Sequence, residues 1–296
     1  MYSDTHFHFH YLVEQFGTPW GAGLLASLAE RDCFFALDIG TKSDDLATRM
    51  ALAKDCLGQI ADQEVRDRAC GMLWFSAGIW PDEDAIRGRK EQLAELERQI
   101  ARAQAAGSLF PGRLAAVGEC GLDHHWNPAG ADKRSGEGWD DGLFQAESEM
   151  FMMQLELAHR LSLPVIVHSR DAFDGTLACL DEVGYHRGII HCHSYGIDEA
   201  RAFLDRGWYI AFGGAITYNK KAKLEAIKEL LRFVPADRFL CETDAPYLAP
   251  VPLRGTVNTP VNIELVYNFA AEVRGQSPKE LSNLVDENIK TLFPLY

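Results

Sequence analysis

Short apolar runs alternate with longer amphipathic stretches from one end of the chain to the other. Segments such as Val165-Ile166-Val167 and Gly188-Ile189-Ile190 are continuously apolar, as parallel strands buried on both faces should be. The pattern predicts eight strands, over residues 2–8, 34–40, 74–79, 115–121, 164–169, 188–194, 209–213 and 239–243. Between them, apolar positions recur at three- and four-residue steps: Leu46, Met50, Ala53 and Leu57 within 44–61, and Leu93, Leu96 and Ile100 within 84–106. Helices are also predicted over 144–161, 172–183, 198–206, 221–233 and 261–273. A last one, over 277–292, takes Ser277 as N-cap and Pro278 as first residue.

Eight strand–helix alternations predict an α/β chain folded as a (β/α)8 TIM barrel, a single domain over residues 1–296. An open doubly wound sheet is the alternative, and the lack of a GxGxxG after the first strand counts against it. One segment, 126–143, is rich in Gly, Asp and charge and reads as a long loop inserted after the fourth strand. A passive insertion is expected there ahead of a lid.

Composition narrows the class. The 296 residues are 47% hydrophobic, enough for a sizeable core without staples. No uninterrupted apolar run reaches the roughly 18 residues of a membrane span. The start, Met1-Tyr2-Ser3-Asp4, lacks the basic and apolar regions of a secretory signal. Seven cysteines without CxxC spacing argue against a disulfide framework, so a reducing cytoplasm is the expected setting, with no membrane partner. The net charge of -14 excludes a protein that coats nucleic acid, because phosphate contacts supply most of such affinity. A locally positive site could still accept a nucleic-acid end. Oligomeric state is left open.

Candidate chemistry gathers at the predicted strand ends. In Asp4-Thr5-His6-Phe7-His8, alternation puts His6 and His8 on one face, where two imidazoles can share a cation. Glu119 interrupts the apolar fourth strand between Gly118 and Gly121, and a buried carboxylate needs an ion partner, a metal or an Arg. His168 and His191 each follow β-branched residues where a barrel strand reaches its mouth. Asp244 ends the eighth strand before Pro246, placed to bind a metal, to accept a proton from water or to cap the turn. Together these six offer nitrogen and oxygen ligands suited to Zn²⁺, Mn²⁺, Fe²⁺ or Mg²⁺. Four neutral imidazoles and two carboxylates against two dications would leave about +2, a local attraction for an anion on an acidic protein.

The motifs Asp4-Thr5-His6-Phe7-His8, Gly118-Glu119-Cys120-Gly121-Leu122-Asp123, Val167-His168-Ser169-Arg170, His191-Cys192-His193-Ser194 and Glu242-Thr243-Asp244-Ala245-Pro246-Tyr247 fall in order over nearly the whole chain. Together they resemble the TatD-related deoxyribonuclease family of the amidohydrolase superfamily. The resemblance implies a TIM barrel, two divalent metal ions (Mg, Mn or Zn) and hydrolysis of DNA phosphodiesters by a metal-activated water. By motif position His6 and His8 would bind the first metal, Glu119 would bridge, and His168 and His191 would bind the second. Asp244 would be both ligand and general base. Arg170, Tyr247, Arg254 and Asn258 would contact substrate, though Arg170 could instead orient a neighbouring carboxylate. The expected partners are DNA ends or short single-stranded DNA.

Several departures concern the substrate. Trp80 in Gly78-Ile79-Trp80-Pro81 stands where the family often has His, and Pro252-Leu253-Arg254-Gly255-Thr256-Val257-Asn258 lacks a His and two basic positions of the family's run. His193 replaces a usual Phe and His124 a frequent Tyr, each expected to pack or meet solvent. His10 is expected in a loop. Fewer cations weaken the case for long DNA. A metal-dependent hydrolase of a small anionic ester, amide or phosphoester is the alternative enzyme. A non-catalytic metal-binding partner protein is the third reading.

Overall fold

A computed structural model describes residues 2–105, 107–125, 138, 140–218 and 221–295. Among them are eight strands: β1 (Asp4–Phe7), β2 (Ala36–Asp38), β3 (Leu73–Ala77), β4 (Leu114–Asp123), β5 (Val165–Arg170), β6 (Gly188–Ile190), β7 (Tyr209–Phe212) and β8 (Phe239–Cys241). They pair in sequence order, all parallel, and a bridge between Phe7 and Ala245 joins the last strand region to the first. This is the (β/α)8 barrel. Every strand is fully buried except β5, where His168 and Arg170 are partly open. That burial explains why their sequences run apolar without alternation.

Twelve helices among the described residues surround the sheet: α1 (Phe9–Phe16), α2 (Thr18–Glu30), α3 (Leu46–Gly58), α4 (Gln63–Met72), α5 (Glu83–Arg87), α6 (Arg89–Gln104), α7 (Asp141–Leu161), α8 (Phe173–Val183), α9 (Ile197–Leu204), α10 (Lys221–Phe233), α11 (Ile263–Arg274) and α12 (Pro278–Leu292). None is long and apolar enough to cross a membrane. α12 starts as expected: Glu280 N–H donates to Ser277 Oγ at 3.2 Å, and Glu280 Oε2 accepts from Ser277 N–H at 2.8 Å.

Three helices were not expected. α1 and α2 fill the stretch after β1, so His10 is helical and does not lie in a loop. α2 buries Leu24, Leu25 and Leu28, each worth about 1.5–3 kcal/mol in apolar burial. α4 starts where the Asp62 carboxylate accepts from Val65 N–H. The helix predicted over 84–106 is divided at Gly88 into α5 and α6. Of the insertion 126–143, residues 126–137 and 139 lie outside the described residues. Its end is helix rather than loop, because Asp140 caps α7 through Leu143 N–H. Strands β6 and β8 stop short of the expected ends, at Ile190 and Cys241. The histidine and carboxylate positions that follow are therefore loop residues at the barrel mouth.

The seam between β1 and the end of β8 is polar. The Asp4 carboxylate accepts from Thr243 N–H at 3.0 Å, Thr243 Oγ1 at 2.6 Å and His6 N–H at 3.1 Å. Burial, opposed by these bonds, pushes the Asp4 carboxyl up to about 8. Asp244 N–H donates to His6 O at 2.9 Å and His8 N–H to Ala245 O at 2.8 Å. The backbones of three candidate site residues are thus locked side by side.

Candidate metal centre

β4 carries the central carboxylate. Its pairing with β5 runs Gly118↔Ile166 and then Cys120↔Val167, so Glu119 is the extra residue of a bulge that re-aims its side chain into the barrel. Close strand approach here requires glycine. Gly121 has φ +150, and a Cβ there would meet His168 O at 1.9 Å.

The two oxygens of Glu119 divide the histidines into pairs. Oε1 lies 2.8 Å from His168 Nδ1 and 3.2 Å from His191 Nε2. Oε2 lies 3.5 Å from His6 Nε2 and 3.8 Å from His8 Nε2. Asp244 Oδ1 stands over the second pair, 3.7 Å from His6 Nε2 and 3.6 Å from His8 Nε2. The rings of His6 and His191 stack at 3.8 Å between centroids. All six expected residues therefore converge at one point, from β1, β4, β5 and the loops after β1, β6 and β8.

The donor set fits a divalent cation. His6 is fully buried, yet neither of its ring nitrogens has a hydrogen-bond partner among the described residues, a costly arrangement unless an ion accepts a lone pair. Three groups, His6 with His8 and Glu119, Glu119 with His168 and His191, and His6 with His191 and Glu242, each have donor atoms within 4.8 Å of one another. Electrostatics also favour positive charge here. Burial pulls the His168 ring down, but Asp123 and Glu119 overcome it and lift it to about 9. His191 is raised well above its usual range, as Glu242 and Glu119 outweigh burial. Burial pushes Glu119 up, but His191, His168 and His6 hold it well below the usual carboxylate range. Protons would occupy space that a cation can take.

Two carboxylates missed in the sequence orient these rings. Asp123 Oδ2 lies 2.9 Å from His168 Nε2, and Glu242 Oε1 lies 3.2 Å from His191 Nδ1. Glu242 is fully buried and ends an apolar run, a signal akin to the one that singled out Glu119.

The expected substrate contacts separate. Arg170 is partly open, with Nη1 3.9 Å from Asp123 Oδ2, so it also bears on the carboxylate behind His168. Tyr247 is 51% exposed, its ring 5.9 Å from that of His8. The Arg254 guanidinium lies over the Tyr218 ring at 4.3 Å. Asn258 is a correction. It is fully buried, its Nδ2 donates to Thr243 O at 2.9 Å, and its Oδ1 accepts from Thr259 N–H and Asn262 Nδ2. Its buried amide is engaged in holding the loop after β8. Trp80 sets its ring edge-on to His168 at 5.9 Å. His193 packs among Tyr195, Phe203 and Phe212, and His124 bonds Glu147 at 2.9 Å.

A family model described as TatD related DNase matches residues 3–294. The chain is 33% identical over 222 residues to YabD of Bacillus subtilis, an uncharacterized metal-dependent hydrolase, covering 74% of this chain and 77% of that protein. It is 30% identical over 269 residues to the 3'-5' ssDNA/RNA exonuclease TatD of Citrobacter koseri, covering 84% of this chain and 92% of that one. The crystal structure of YjjV, a TatD homolog from Escherichia coli, superposes with a TM-score of 0.76 at 26% identity, over 99% of this chain and 97% of that one. The chain belongs to the TatD-related DNase family.

Proposed function

We propose that this chain is a divalent-metal-dependent phosphodiesterase that hydrolyses DNA ends or short single strands. The observation that carries the reading is the split of Glu119, with Oε1 toward His168 and His191 and Oε2 toward His6 and His8. Such a carboxylate suits a bridge between two ions. His6, His8 and Asp244 would hold one, and His168 and His191 the other. Divalent metals in such a site lower the pKa of water toward neutrality and offset charge on a phosphoryl oxygen.

The protein's own groups do the rest. Burial pushes Asp244 up, but His8, His191 and His6 overcome it and hold it below the usual carboxylate range, so at neutral pH it is ionised. Its side chain is 13% exposed against 5% for Glu119. Asp244 is thus the more open carboxylate, and it takes the proton of the attacking water. Arg170, on the strand that carries His168, offers a planar fork to the non-bridging phosphate oxygens. The exposed Tyr247 ring gives a base a face on which to stack. The overall charge of -14 keeps long duplex off the surface, which leaves ends and short strands as the preferred form.

Two observations favour a second reading, hydrolysis of a small anionic ester or phosphoester. Trp80, where the family often has His, borders His168, and Arg254 is engaged with Tyr218. The test is a chelator-stripped preparation reloaded with Mg²⁺, Mn²⁺ or Zn²⁺ and given end-labelled single-stranded DNA, duplex DNA and a panel of small esters and amides. Metal-restored shortening of the single strand is expected. Turnover of small esters with none of DNA would replace the nuclease reading with the second one.

A further inference from the structure

Beside the six clustered side chains lies a buried polar network with no part in the chemistry above. Arg49, on α3, is 1% exposed. Its Nε donates to Asp45 Oδ1 at 2.9 Å, Nη1 to Asp38 Oδ2 at 2.7 Å and to Asp38 O at 3.2 Å, and Nη2 to Ser76 O at 2.5 Å. Asp38 ends β2 and is fully buried, as is Ser76 on β3. A guanidinium this deep is tolerated only when paired and fully bonded.

The network reaches His8 through a helix cap. α1 begins at Phe9 with His8 in the N-cap position, and the His8 side chain makes no capping bond. An N-cap side chain ordinarily accepts an amide of the first turn. Here Asp38 Oδ1 does so from the neighbouring strand, accepting Phe9 N–H at 2.9 Å. The His8 imidazole is thereby left to turn Nε2 toward Asp244 and Glu119, with Nδ1 3.4 Å from Ile39 O.

The other arm reaches Glu119. Ser76 Oγ donates to Gly118 O at 2.5 Å and accepts from Gly40 N–H at 3.1 Å. Gly40 O in turn accepts Glu119 N–H at 2.8 Å. A Cβ on Gly40 would meet Arg49 Nη2 at 2.5 Å, so the guanidinium and this loop are packed without slack.

We propose that Arg49 is a positioning residue. Through Asp38 and Ser76 it sets His8 against Glu119, and so sets the affinity for metal on the β1 side of the centre. The proposal rests on the metal-dependent reading. Lysine keeps the charge but presents its donors from one atom, so it cannot span Asp45, Asp38 and Ser76 as the fork does.

The experiment titrates Zn²⁺ into the metal-free full chain against a chromophoric chelator, for wild type, Arg49→Lys and Ser76→Ala. Thermal unfolding of each metal-free protein is measured alongside. Expected is a fall of about 10- to 100-fold in Zn²⁺ affinity in both variants, with metal-free Ser76→Ala melting within a few degrees of wild type. A purely structural network would lower the melting temperature and leave the affinity of the folded protein unchanged, which would overturn the proposal. If Arg49→Lys does not fold, Asp38→Asn takes its place, since it keeps the volume but removes the charge of the carboxylate that joins the Arg49 guanidinium to Phe9 N–H. Ser76→Ala, which keeps the Ser76 O that Arg49 bonds, tests the arm to Glu119 alone. A wild type that binds none of Zn²⁺, Mn²⁺ and Mg²⁺ would overturn the metal reading and this proposal with it.

Discussion

Glu242 Oε1 lies 3.2 Å from His191 Nδ1, on the opposite edge of the ring from the nitrogen that faces Glu119. The same oxygen accepts Cys192 N–H at 2.5 Å, so ring and backbone are fixed by one fully buried carboxylate. A carboxylate behind a histidine selects the tautomer and raises the basicity of the other nitrogen. Glu242→Gln keeps the volume and loses the charge. Its metal affinity should fall by about 10- to 100-fold, read by chelator competition. Wild-type affinity in that variant would detach Glu242 from the centre.

Asp244 is expected to act in the chemical step. Asp244→Asn preserves shape but not proton acceptance, and general-base contributions run to about 10²–10⁴-fold. Turnover should drop by that order, while the circular dichroism spectrum and melting temperature stay close to wild type. Normal turnover would require another base.

Gly121 tests how far the ligand geometry depends on strand spacing. It pairs with His168, and any side chain at Gly121 would collide with His168 O. Gly121→Ala combines a strained φ with overpacking and should cost about 2 kcal/mol or more, measured by denaturant unfolding, together with weaker metal binding. Gly71 in α4 has nothing within 4 Å of an added Cβ. Gly71→Ala should be neutral or stabilising by up to about 1 kcal/mol. Equal effects at the two positions would contradict the contact.

The pH dependence has a clear sign at Asp286, far from the mouth in α12. Burial raises its carboxyl above the usual range despite a 2.6 Å bond from Ser3 Oγ. A raised acid holds its proton in the folded state where the unfolded chain has released it. Its contribution is therefore favourable at low pH and is lost as pH rises past the ordinary carboxylate value of about 3.9. The stability of Asp286→Asn minus that of wild type should accordingly grow between about pH 4 and 7. A flat difference across that range would show that the carboxyl titrates as in the unfolded chain.

Much of the centre was legible in sequence because its members break local patterns. His6 and His8 share a strand face, Glu119 interrupts an apolar run, His168 and His191 close two others, and Asp244 stands just before Pro246 at a strand end. The same reasoning applied to Glu242 would have found it, since it too ends an apolar run. α2 was equally open to reading, with Pro19 in its first turn and Leu24, Leu25 and Leu28 at helical steps. Asn258 was misjudged because motif position says nothing of where an amide points, and here it points into the loop it holds.

What the sequence determined by itself was the barrel and the identity of the six converging groups, because strand period and buried polarity are local properties of a chain. What only the tertiary structure decided was which partner each group meets. Glu119 divides its oxygens between two histidine pairs because a bulge between β4 and β5 turns it inward. Arg49 finds Asp38 and Ser76 because α3 packs against β3, whose neighbour β2 ends in Asp38, and Glu242 finds His191 across β7. Such pairings join residues far apart in sequence, and they are fixed by sheet register and close packing, neither of which any single segment of the chain contains.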